Sequence, residues 1–126
     1  MALTIQQERA KYALERVEVL GRVLNVEGQK EFISYASGLP AMIHMNGLGQ
    51  AMAFCKLKAG DRDSYNQLYL LVSDWLCKPD QPYHTKNNVL KGITECDRAQ
   101  YQLAQAEALV LMSWVKKFAK AFLAGD

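Results

Sequence analysis

The residues of this chain able to carry chemistry are few and scattered. His44 and His84 are the only imidazoles. Neither has a glutamate or cysteine at metal-ligand spacing, so no metal centre is expected. Cys55, Cys77 and Cys96 are odd in number and far apart, and they include no C-x-x-C pair. Free thiols in a reducing compartment are the expectation. Asp61 and Asp63 form a close acidic pair, which helix capping explains better than catalysis. Asn46-Gly47-Leu48-Gly49 superficially suggests a dinucleotide loop, but it lacks the third glycine and follows no strand. No nucleophile is paired with a base. The expectation is a protein that is not an enzyme and uses no cofactor.

Basic residues are the remaining candidates. Lys116, Lys117 and Lys120 share one side of the C-terminal helical segment with Ser113. Lys56 and Lys58 close another segment. Arg9 and Arg16 lie on a third, in a stripe with Tyr12, Val19 and Val23. Each group has a plain structural account, in helix dipoles or in side chains snorkelling at a core margin. If the groups share one side of the fold, they make a surface that tracks phosphates. No aromatic motif for base stacking accompanies them. Fifteen Lys and Arg against thirteen Asp and Glu give a net charge of only +2. Such a charge draws nucleic acid weakly, so any contact must come from local clustering.

These groups must be positioned by helices. The 126 residues are half apolar and 22% charged, which fits one soluble globular domain spanning 1–126 and excludes global disorder. Apolar runs are too short for a membrane span, and the first residues have no secretory core. A cytoplasmic location follows as an expectation. Segment 3–24 is amphipathic, with Ala13, Val17 and Leu20 on its core face. Thr4 and Gln7 have capping-box spacing. A break is expected at 25–28, then a short helix ended by Gly38. Pro40 should start another helix that stops at the Asn46-Gly47 turn. Helical spacing returns over 48–58 and over 64–77, with Asp63 or Ser64 as a cap. Pro79 and Pro82 bound a loop. A short helical turn follows at 87–92, and Thr94 is expected to cap what comes next. In the last segment Glu107 falls in the middle of an apolar face, where an unpaired carboxylate is costly. A break near 102–105 would relieve that cost by placing Glu107 in a first turn. No alternation of β period occurs. The reading is all-α, a bundle of about five to seven unequal helices.

The central block from Tyr35 to Phe54 resembles the signature of the Cmr small-subunit family, part of the type III-B CRISPR RNA-guided effector. Tyr35, Ser37, Leu39-Pro40, Ile43, Asn46-Gly47-Leu48, Gln50 and Phe54 carry the resemblance. Met42 and Met52 stand where leucine is more usual. The stretch Glu107 to Ala121 is similar to the family's closing helix, so the resemblance spans about Arg9 to Leu123. It implies a non-catalytic subunit in antiviral defence. Copies would stack beside the backbone and large subunits and contact guide RNA and target RNA, with no membrane and no small-molecule substrate. Arg9, Arg16, Lys56, Lys116, Lys117 and Lys120 are the candidate RNA-binding residues, on charge clustering more than on motif. A small helical adaptor that binds only protein is the alternative. Within the block, Asn46, Gly47 and Gln50 are read as a structural corner, with Gln50 reaching the open backbone of the turn.

Overall fold

A computed structural model describes residues 2–124. Five helices follow one another: α1 (Ile5–Val23), α2 (Val26–Lys58), α3 (Asp63–Leu76), α4 (Val89–Glu95) and α5 (Arg98–Phe122). No strand occurs among the described residues, and no helix is long and apolar enough to cross a membrane. The all-α expectation holds. α2 packs against α3 and α5, α1 lies along α5, and α4 closes the end between α2 and α3. All five contribute to one core, with Phe32, Ile43, Leu48, Met52, Leu68, Leu71, Leu111 and Met112 fully buried.

Helix starts follow capping chemistry. At α1 the Thr4 hydroxyl accepts from the Gln7 N–H at 3.1 Å, and the Gln7 side chain accepts from the Thr4 N–H at 2.8 Å. Both bonds of the capping box are therefore made. Asn25, Asn88 and Asp97 cap α2, α4 and α5 by accepting from the third residue on. Two expected caps differ. The Thr94 hydroxyl donates back to the Leu90 carbonyl at 2.8 Å, inside α4. α3 begins after Arg62 without a side-chain cap. Its Ser64 hydroxyl instead lies 3.0 Å from the Gly28 carbonyl and from a Glu31 carboxylate oxygen, tying α3 to α2.

The central block is one long helix rather than several short ones. Gly38 does not end it, and Pro40 sits inside it. Pro40 has no N–H for the Ala36 carbonyl, which ordinarily breaks a helix. The buried series Phe32, Ala36, Leu39 and Ile43 runs through that point in unbroken helical register. Its burial outweighs the missing bond. The interruption comes at Gly47, whose φ of 86° and ψ of 160° are non-helical. That region is open essentially to glycine alone. α2 therefore kinks where a turn was expected, with no loop between its halves.

α5 is continuous over the expected break at 102–105. Glu107 is accommodated by partners instead. Arg9 on α1 meets it with Nε at 2.5 Å from Oε2 and Nη2 at 2.8 Å from Oε1. The Trp75 indole N–H on α3 donates to Oε2 at 2.9 Å. The carboxylate joins three helices at the seam where the apolar pattern made it look misplaced.

Candidate functional site

Lys116, Lys117 and Lys120 come together as the last turns of α5 place them. They line a surface cleft of about 370 Å³ with Ser113 and Leu109 of α5 and with Pro40 and His44 of α2. The spacing i, i+1, i+4 puts all three ammonium groups on one side of a helix. Their position near the helix C-terminus also suits positive charge. Among the described residues no acid lines the cleft. None of the three lysines pairs with a carboxylate among the described residues. Lys117 and Lys120 are exposed, and Lys116 is half-buried. The Ser113 hydroxyl donates to the Val110 carbonyl at 2.8 Å within its own helix. The cleft thus offers ammonium groups and an imidazole, the donor set that suits a phosphodiester backbone.

The other candidate cations lie elsewhere. Arg9 is only 16% exposed at its side chain, and both arms of its fork go to Glu107. The hydrogen bond to Glu107 raises its pKa above the ordinary arginine value. Burial by itself would raise the Glu107 carboxyl. Hydrogen bonds from Arg9 and Trp75, with the arginine's charge, outweigh burial and hold it below the usual carboxylate range. Arg16 pairs with Asp74 at 3.0 Å, and its guanidinium stands over the Tyr12 ring, 5.4 Å from the centroid. The Tyr12 hydroxyl donates to the Leu71 carbonyl at 2.6 Å. The Arg9, Tyr12 and Arg16 stripe thus faces inward against α3 and α5. Lys56 is exposed on α2, with its ammonium 5.0 Å from the Tyr69 ring centroid. Arg9, Arg16 and Lys56 do not line the lysine cleft.

The kink at Gly47 is built from α5. Breaking the ladder frees the N–H groups that open the second half of α2. The Leu48 N–H donates to Gln105 Oε1 at 2.9 Å, and the Gly49 N–H donates to the Tyr101 hydroxyl at 3.0 Å. Gln50, expected to serve this turn, is exposed and takes no part. A Cβ on Gly47 would lie 2.9 Å from the Tyr101 oxygen. The corner expectation therefore holds for Gly47, and its partners sit on a helix some fifty residues away in sequence. His44, Met45, Asn46 and Gln50 are all exposed around the kink, Met45 by 81%.

Among the described residues, no group of three or more His, Cys, Asp or Glu side chains is gathered as a metal would need. Cys55 is buried, and burial pushes its thiol up to about 11. Sequence reasoning missed a pocket on the opposite flank of α2 from the lysines, where Tyr35 and Tyr65 stack. Their shared signal is faint, because they belong to different helices. A family model described as CRISPR-associated protein (Cas_Cmr5) matches residues 5–122.

Proposed function

Because the chain belongs to the Cmr5 family of CRISPR-associated proteins, we propose that it is a non-catalytic structural subunit of a type III-B Cmr ribonucleoprotein, acting in antiviral defence in the cytoplasm. Its role in this reading is to line the path of guide and target RNA and to hold neighbouring subunits, copies of itself among them, in register. The observation that carries the RNA part is the cleft in which Lys116, Lys117 and Lys120 converge with no carboxylate among the described residues to neutralise them. Arg9 serves the fold, because Glu107 takes two of its donors, and Arg16 is committed to the fold by one bond to Asp74 and its place over Tyr12. Lys56 is a peripheral contact at most.

The physical logic is additive. A cleft of three ammonium groups neutralises a few phosphates and reads no bases. Binding by one copy is weak. Repetition along an assembly, with the RNA already tethered by other subunits, raises the effective concentration and makes weak contacts sufficient.

Salt dependence tests the assignment. Each phosphate contact with a single strand contributes about 0.7 to the slope of log affinity against log salt. Replacing all three lysines by glutamine should weaken RNA binding evenly across sequences and flatten the slope by about two units. If RNA binding ignores both salt and these substitutions, the lysine cleft is not an RNA site. The reading would then pass to a helical adaptor with protein partners only.

A further inference from the structure

α2 has two flanks, and the lysine cleft occupies one of them. On the other, facing α3, a pocket of about 270 Å³ opens between Ser34, Tyr35, Gly38 and Met42 of α2 and Tyr65 of α3. The Tyr35 and Tyr65 rings stack with centroids 3.7 Å apart and planes 12° from parallel. Phe54 meets Tyr65 edge-on at 5.7 Å, and the Lys58 ammonium stands 5.7 Å from the Phe54 centroid. Among the described residues no acid lines the pocket, and Glu31 on the same flank is engaged by Ser64 and Arg62. Gly38 sits at its rim, exposed, with nothing within 4 Å of where a Cβ would be. On the helical surface between the two openings Gly38 and Ala41, both exposed, leave a low crossing point, and Met45 stands one turn beyond it, 81% exposed.

We infer that the α2–α3 pocket accepts a nucleobase from the same RNA strand whose phosphates lie in the lysine cleft on the other flank of α2. This rests on the RNA-contact reading above. Aromatic faces stack on any base, so such a site is tolerant of sequence. A helix with its side chains is about 10–12 Å across, and the small residues thin it further here. A few nucleotides of single strand span that width. The strand would cross α2 over Gly38 and Ala41, with charge held on the α5 side and a ring held on the α3 side. The basic Lys58 at the aromatic cluster and the absence of acid from the lining of either opening, among the described residues, favour nucleic acid over a basic partner segment.

The test separates base from phosphate. The full chain is titrated with a single-stranded RNA and with an oligonucleotide of equal length and charge that carries abasic sites, followed by NMR. The intact RNA should shift signals of Tyr35, Gly38 and Tyr65 together with those of Lys116 to Lys120. The abasic strand should shift only the lysine region and bind about tenfold more weakly. Gly38→Leu keeps helix propensity and has room at its Cβ, so it should fold, obstruct the rim and make the two strands bind alike. Equal affinity of both strands for the unaltered chain, with no response at Tyr35 or Tyr65, overturns the base pocket and leaves the lysine cleft standing. No binding of either strand overturns both. If Gly38→Leu leaves the difference between the strands intact but strips neighbouring subunits from the assembly, the occupant is a protein side chain and the inference fails.

Discussion

Arg9 and Glu107 stand 98 positions apart in sequence and meet through two hydrogen bonds between α1 and α5. The pair fixes how the first helix lies on the last. Trp75 adds a third helix to the same carboxylate. Both side chains are largely withdrawn from water, at 16% and 13% exposure. Desolvation opposes such a pair, while its fork geometry and the indole bond favour it. Its clearest signature appears when one partner is lost.

Arg9→Ala leaves Glu107 half-buried with only the Trp75 bond. The expected cost is about 2–3 kcal/mol, below the range for fully buried pairs because some solvent reaches the site. Urea unfolding measures it. RNA affinity of the folded fraction should not change, since Glu107 and Gln6 engage all three guanidinium nitrogens. A stability close to the unaltered chain would mean that the pair does not hold α1 in place.

Glu107 also sets an acid limit. Its folded-state pKa is lowered, so the carboxylate contributes stability fully above the unfolded value, near 4.3, and loses it as pH falls through the folded value. Glu107→Gln should lower stability at neutral pH and flatten the acid limb below about pH 4. Thermal melts from pH 7 to pH 3 report both changes. An acid limb of unaltered steepness would assign acid loss to other carboxylates.

Two glycines of α2 should respond in opposite directions to the same change. Gly47→Ala forces a side chain into a glycine-only backbone region and against the Tyr101 hydroxyl. A loss of about 2–3 kcal/mol is expected. Gly38→Ala meets nothing within 4 Å, so only helix propensity acts, and a gain of about 0.5–1 kcal/mol is expected. Denaturant midpoints of the two variants, bracketing that of the unaltered chain, check the kink directly.

Much of this fold was legible because helix signals are local. Thr4 and Gln7 announced the start of α1. Helical spacing around Leu68 and Trp75 announced α3, and Pro79 announced its end. The errors arose where distant residues decide. Glu107 looked like a helix start because its partners, Arg9 and Trp75, are invisible to a local pattern. Gly38 and Pro40 looked like boundaries because core burial along Phe32, Leu39 and Ile43 is what sustains the helix through them. The lysine cleft was half legible: the spacing of Lys116, Lys117 and Lys120 gave a shared face, but His44 and Pro40 joined it only through packing of α2 on α5. Local charge could not show that Arg9 and Arg16 are ion-paired, because those pairs are tertiary.

The most direct measurement is affinity purification from the native host of the tagged chain and of its Lys116→Gln/Lys117→Gln/Lys120→Gln variant, reading both co-purifying proteins and bound short RNA. The unaltered chain should recover other Cmr subunits with guide RNA. The variant should recover the same proteins and hold target RNA less tightly, with a shallower salt dependence. Recovery of protein partners with no RNA, or identical RNA retention by both chains at every salt concentration, would contradict the account.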